Sequence, residues 1–396
     1  MTAIFVLTKS IILHKVLTES ARRYSCWTQA LQFLQEEGRN MRYALIGCGR
    51  ISPHHIMAAR NKQLEIVAVC DIDPEKLEKT AAQLDHVHPY TDYKTMLEEE
   101  TPDLVAIATE SGKHAQIALD CIGAGCHVII EKPMALSIEE ADRVIQLAKQ
   151  RGVLVCVNHQ NRFNRSIQYV HSAIAQGRFG RILHGSARIF WNRNREYYEQ
   201  ASWRGTWEQD GGALMNQCIH NIDLLCWLMG SEAVEVFAYT DNLKHPYMEA
   251  EDLGVALVKF QNGAYGVIEG TTNVYPENLE ESLTLLGETA TVKVGGKSVN
   301  EILEWKVADG LDDSDSVKKT FSETPPNIYG YGHTPLYADM IDAITNGRQP
   351  LVNGEAGKRA MELILAIYQS AVQGLSVKLP LLRGKTLDFK GRFKNE

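Results

Sequence analysis

The chain has 396 residues, 44% of them apolar and 23% charged; at roughly 150 residues per domain this is material for two or three globular domains. Forty-one basic against 49 acidic side chains leave a net charge of −8, which repels nucleic-acid phosphate where no basic patch offsets it. Apolar runs such as Ala3 to Leu7 fall far short of the roughly 18 residues that span a bilayer. Neither nucleic acid nor membrane is expected as a partner.

Residues 1–40 carry five basic side chains against three acidic ones. Lys9 and Lys15 interrupt the apolar stretch that a secretory signal requires. The segment reads as a dispensable extension on a domain that begins at Met41. From there apolar strands at 43–46, 65–70, 104–108, 128–130 and 153–157 alternate with helical stretches from Pro53 and over 74–84, 114–123 and 138–152. Strands apolar on both faces, separated by helices, predict a doubly wound parallel sheet over 41–160.

The pattern then changes. Strand-like segments at 182–191, 234–240, 254–260, 264–272, 282–287 and 291–294 follow one another, with Asn262-Gly263 as a hairpin signal between two of them. Residues 161–396 therefore read as an α+β domain on a mostly antiparallel open sheet. Helices are expected over 213–229, stopped by Gly230, and over 354–372. None of the eight cysteines has a Cys-x-x-Cys or zinc spacing, and most lie in apolar runs. Free thiols in a reducing cytoplasm and no metal site are expected.

Three motifs carry chemistry. Gly47-Cys48-Gly49-Arg50-Ile51-Ser52 lies between the first strand and first helix, where a glycine turn lets the backbone approach a pyrophosphate. Asp71 follows Gly49 by 22 residues at the end of the second strand. A carboxylate there accepts from ribose hydroxyls and repels a 2′-phosphate, which favours NAD over NADP. Glu131-Lys132-Pro133 ends an apolar strand, on the side where such sheets bind ligands. In Gly211-Gly212-Ala213…His220-Asn221-Ile222-Asp223, Asn216 and His220 are four residues apart on one helix face. Arg162, Arg165, Arg188, Arg193, Arg195 and Arg204 accompany Trp191, Trp203 and Trp207. Guanidinium forks and aromatic faces suit an anionic sugar.

In this order and spacing the motifs resemble the Gfo/Idh/MocA oxidoreductases from Met41 to about Leu381. Asn161-Arg162-Phe163, the run from Trp203 to Asp210, Met215-Asn216-Gln217, the run from Tyr275 to Glu280 and Tyr329-Gly330-Tyr331-Gly332-His333 are similar to the subgroup that oxidises UDP-N-acetylglucosaminuronate at C3 in surface-polysaccharide biosynthesis. Many family members have aspartate at the position of Asn216 and glycine at that of Cys218, and Glu110 replaces a usual proline. The resemblance implies an NAD-dependent dehydrogenase of a sugar-ring hydroxyl that forms a homodimer or homotetramer through the C-terminal sheet. It implies that Gly47, Gly49, Arg50, Ile51, Asp71, Thr109, His114, Glu131 and Lys132 hold the cofactor. Asn161, Arg162, Arg204, Asn216, His220, Tyr331 and His333 are then substrate residues.

Lys132 and His220 are the expected catalytic pair. His220 takes the hydroxyl proton, since an unperturbed imidazole titrates near working pH. Lys132 hydrogen-bonds the reacting oxygen, with a pKa lowered beside a cationic nicotinamide. The alternatives are a dehydrogenase of a free sugar or cyclitol, and a dinucleotide sensor without turnover. The sensor is favoured only if Lys132 and His220 do not share a pocket. One expectation concerns the first 40 residues: a chain starting at Met41 should fold and bind NAD with unchanged affinity. A large fall in Tm on truncation contradicts it.

Overall fold

The computed structural model describes residues 40–325 and 327–393; the expected extension, apart from Asn40, and Cys26 lie outside the described residues. Six strands, β1 (Arg42–Ile46), β2 (Glu65–Cys70), β3 (His88–Tyr90), β4 (Leu104–Ile107), β5 (His127–Ile130) and β6 (Val155–Val157), form a parallel sheet in the order β3-β2-β1-β4-β5-β6. Every residue of β4, β5 and β6 is buried, because helices cover both faces. The helices begin where polar caps place them. Asp73 accepts from the amides of Glu75 and Lys76 at the start of Pro74–Ala81, and Ser137 caps Ile138–Arg151 through the Glu140 amide. The short β3 and the helix Tyr93–Glu100 were not expected from the sequence.

The second sheet has eight strands: β7 (Ile182–Phe190), β8 (Ala233–Asp241), β9 (Leu253–Phe260), β10 (Tyr265–Thr271), β11 (Glu280–Gly287), β12 (Ala290–Gly295), β13 (Glu301–Val307) and β14 (Val377–Lys378). Their order is β13-β12-β11-β7-β10-β9-β8-β14. The pairing is antiparallel except between β7 and β10. Asn262-Gly263 makes the expected turn between β9 and β10, with Gly263 at φ +84°. Along β9 buried and exposed residues alternate, so one face is packed and the other is open. The packed face lies against the helix Ile219–Leu228. A Cβ on Gly185 of β7 would come within 2.6 Å of the Leu225 side chain.

The chain then returns to the first sheet. Helix His333–Asn346 packs on Ser52–Asn61, and helix Gly354–Gln373 packs on β8, β6 and Ile138–Arg151. The Val157 amide donates to the Val352 carbonyl at 2.9 Å, which covers the β6 edge. The segment after residue 330 therefore clamps the two sheets together and fixes the cleft between them. Among the described residues no helix is long and apolar enough to cross a membrane.

Candidate active site

A cleft of about 1280 Å³ runs from the β1 turn to the second sheet. At one end Gly47 turns at φ +102°, and a Cβ there would collide with the Ala108 carbonyl. A Cβ on Gly49 would meet nothing within 4 Å, and this open space leaves room for a pyrophosphate at the N-terminus of helix Ser52–Asn61. Ser52, standing where the fingerprint has its third glycine, donates its hydroxyl to the Gly49 carbonyl at 2.7 Å. Asp71 is held by the amides of Cys48 (2.7 Å) and Asp73 (2.8 Å) on the cleft wall. Each of its oxygens keeps a lone pair for a ribose hydroxyl. Arg50, Ile51 and Thr109 line the same end.

Two of the expected cofactor residues, His114 and Glu131, line the cleft and also brace it through hydrogen bonds to the protein. His114 lies between the carbonyls of Pro133 (2.7 Å) and Thr109 (3.1 Å), so both ring nitrogens are committed to main chain. Glu131 is buried and accepts from His55 Nε2 at 2.9 Å, from Asn158 Nδ2 and from the Lys132 amide at 3.2 Å. Burial favours its neutral form, but the His55 hydrogen bond and the nearby Lys132 charge outweigh this and hold the carboxyl well below the usual range. His55 continues to Tyr337 (2.7 Å), which meets Tyr43 (3.0 Å). His333 accepts from Asn158 Nδ2 at 3.1 Å in the same network. His55, Asn158 and Tyr337 were not found in the sequence; the only signal was a histidine pair one turn after the glycines.

Beyond this network the Lys132 ammonium reaches across the cleft and donates to the main-chain carbonyl of Asn216 at 2.7 Å. That carbonyl lies in a π turn, Leu214–Cys218, which leads into the helix Ile219–Leu228. The expected continuous α-helix is thus widened at the residues that face Lys132. Such turns disturb the i→i−4 ladder and are frequent at functional sites. Glu251 fixes the start of the turn, accepting from the Leu214 amide at 2.7 Å, and occupies the space where Gly212, at φ +93°, would carry a Cβ. Cys218 fits because Gly270 on β10 lies opposite it; a Cβ there would sit 2.8 Å from its sulfur.

His220 lines the cleft, and its Nδ1 is buried with no hydrogen-bond partner among the described residues. Burial, the Lys132 charge and His159 together push its pKa well below the ordinary value. His159, also missed in the sequence, meets the His220 ring edge-on at 5.6 Å. The imidazole is therefore neutral at pH 7, which corrects the expectation of a titration near working pH. Burial also lowers the Lys132 pKa.

The substrate residues divide in the same way. Asn161 is buried on the cleft wall, its Oδ1 without a hydrogen-bond partner among the described residues. Arg162 does not line the cleft: its fork is held by Asp223 at 2.7 and 2.6 Å, both side chains being buried. Arg188 and Arg195 pair with Glu269 and Glu199 on the surface. Arg193 and Arg204 do line the cleft, and with Arg50 they surround the ring of Tyr197 at 5.0, 4.3 and 5.4 Å. Tyr197 was not singled out from the sequence. Arg204 Nε is buried without a hydrogen-bond partner among the described residues. The Asn216 side chain is committed to Asp210 and to Gln217 (2.5 Å). Trp207 belongs to the core beside Tyr368. Tyr331 is half-exposed outside the cleft, bonded to the Thr324 carbonyl at 3.3 Å, and Tyr329 takes the place expected for it.

A nucleotide-shaped turn, an anchored acidic residue and a lysine–histidine pair on one cleft define a dinucleotide-dependent oxidoreductase. Residues 41–159 match the NAD-binding Rossmann fold of the Gfo/Idh/MocA oxidoreductases and residues 171–379 match their C-terminal alpha/beta domain. The chain belongs to this family, and its cofactor is NAD. It is similar to the WlbA dehydrogenase from Bordetella pertussis, solved with NADH and UDP-GlcNAcA, at 41% identity and a TM-score of 0.81, covering 87% of this chain and 99% of that one. The WlbA dehydrogenase from Chromobacterium violaceum, solved with the same two ligands, is 38% identical with a TM-score of 0.79, covering 87% and 97%. A myo-inositol 2-dehydrogenase from Thermotoga maritima is 26% identical over 86% of this chain and 98% of its own.

The Asp71 carboxylate makes cofactor choice testable. NAD should bind more than tenfold more tightly than NADP, a gap of at least about 1.4 kcal/mol. Asp71→Ser should narrow it in a fluorescence titration. Equal affinity of the unmodified protein for both dinucleotides contradicts the assignment.

Proposed function

We propose that this dehydrogenase oxidises the C3 hydroxyl of UDP-N-acetylglucosaminuronate in surface-polysaccharide biosynthesis. The observation that carries the reading is the triple-arginine collar of Arg50, Arg193 and Arg204 around Tyr197, in the cleft that also holds Lys132 and His220. Arg193 and Arg204 suit the diphosphate and carboxylate of such a substrate, with Arg50 beside them at the cofactor end. A free sugar or cyclitol offers them no anion. The likeness to the two WlbA dehydrogenases supports the same choice. Because Lys132 and His220 share one cleft, a sensor without turnover is the poorer reading.

NAD, when bound, supplies the hydride acceptor. The chain does the rest. Lys132, held by the Asn216 carbonyl, hydrogen-bonds the reacting oxygen and favours the alkoxide character that develops there. His220, neutral because burial and Lys132 disfavour its charge, takes the hydroxyl proton. Asn161 Oδ1 is an unused acceptor for a neighbouring hydroxyl. Asn216 acts through its main chain, since Asp210 and Gln217 occupy its amide.

A second copy of the chain is the proposed partner, packed on the open face of the second sheet, where Tyr239, Val255, Leu257 and Tyr265 are exposed. The seven described cysteines are free thiols, in keeping with the cytoplasm.

The test is turnover across a panel of UDP-sugars, uronates and inositols. UDP-N-acetylglucosaminuronate should be the preferred substrate; turnover of inositol alone contradicts the reading. His220→Ala and Lys132→Ala should each lower kcat by about 10²- to 10⁴-fold. If both act on one proton, the double variant should be far less impaired than the product of the two effects. NAD affinity should survive His220→Ala. Near-normal turnover in that variant removes His220 as the base.

A further inference from the structure

Glu281, on β11, is a carboxylic acid that the chemistry above leaves unused. Strand register sets it opposite Ile189 of β7, which is fully buried, so Glu281 points inward rather than to the open face. There it lines the cleft at 6% exposure, and its Oε2 has no hydrogen-bond partner among the described residues. The nearby cation, Arg193, is not hydrogen-bonded to Glu281 Oε2. Arg193 spends its Nε on Gln217 Oε1 at 3.0 Å and its Nη1 on the Asn192 carbonyl at 2.7 Å. Cys218, from the π turn, is the other titratable group facing it, and burial keeps that thiol protonated. Burial likewise pushes the Glu281 carboxyl up to about 8, with Arg193 opposing. The side chain thus presents to the cleft a buried oxygen that no described residue satisfies, and burial favours its protonated form. Buried donors without acceptors are rare in folded proteins, and in a ligand cleft the missing partner is the ligand.

We propose that Glu281 is a substrate-binding residue, donating a hydrogen bond from its carboxylic acid to an acceptor oxygen of the bound sugar. This rests on the reading that a nucleotide sugar occupies the cleft. It adds a specificity device that the arginine collar lacks. The collar recognises anions, whereas a neutral acid recognises an uncharged hydroxyl or acyl-amino oxygen and turns repulsive once ionised. The sign follows: the protonated form binds, so affinity is constant at low pH and falls as pH rises through about 8.

Calorimetry on the NADH-loaded enzyme tests this with UDP-N-acetylglucosaminuronate at pH 6.5 and 9.5, with UDP as the ligand that lacks the sugar. The unmodified enzyme should lose at least tenfold in affinity for the sugar nucleotide between the two pH values, and lose much less for UDP. Glu281→Gln, a permanently neutral donor, should hold its affinity within about threefold across the range. Glu281→Ala should bind the sugar nucleotide weakly at both. NADH binding reports that the variants are folded. An equal loss at pH 9.5 in Glu281→Gln and in the unmodified enzyme overturns the proposal, as does full affinity in Glu281→Ala. If the unmodified enzyme does not bind the sugar nucleotide at pH 6.5, the substrate reading fails and this inference falls with it.

Discussion

The 2.7 Å hydrogen bond from the Lys132 ammonium to the Asn216 carbonyl is the contact on which the site depends. Lys132 follows shortly after β5 of the first sheet, and Asn216 lies in the π turn before the helix that packs on the second. One charge-assisted bond, worth about 1.5–3 kcal/mol in typical proteins, thus sets the two halves of the cleft against each other. It has a second effect. His220 lies one turn beyond Asn216, so the ammonium sits near enough to disfavour a charged imidazole. Burial thus disfavours charge on both groups, and the ammonium adds to the effect on the imidazole, so His220 is kept neutral and ready to take a proton.

Much of the surrounding polar structure exists to hold this contact rather than to touch a ligand. The chain from Asn158 and Glu131 through His55 and Tyr337 to Tyr43 fixes the backbone that carries Lys132. On the opposite side Glu251 sets the beginning of the π turn, and Asp210 and Gln217 hold the Asn216 amide. Arg162 and Asp223 fasten the 160–163 loop to the helix that bears His220. Breaking such a buried pair leaves an uncompensated charge, which typically costs about 3–5 kcal/mol.

The sequence was most informative where local rules act. Strands apolar on both faces, the Asn262-Gly263 turn and the Gly47 and Asp71 spacing all describe short-range chemistry, and the structure agrees with them. It was least informative where partners lie far apart in the chain. Arg162 and Arg204 look alike in sequence, yet Asp223, 61 residues on, takes the first and leaves the second free for the cleft. Tyr331 and Tyr329 share one motif, and only the backbone path decides which enters the site. The π turn had no signal beyond the glycines before it; the residue that holds the Leu214 amide at its start, Glu251, lies 37 residues further along the chain. Tyr197 and Glu281 lie beside the singled-out segments, two residues after Arg195 and one after Glu280, but in none of them. Their meaning comes from what surrounds them: three guanidinium groups in one case, an absent partner in the other.

Hydride transfer is where all these placements converge, and it can be followed atom by atom. The enzyme is given UDP-N-acetylglucosaminuronate labelled with deuterium at C3, and the nicotinamide is analysed by mass spectrometry. The account predicts one deuterium transferred to NADH, with C3 appearing as a ketone and the other ring positions unchanged. Deuterium retained in the sugar while NADH forms, or transfer only from a label at another carbon, would contradict it.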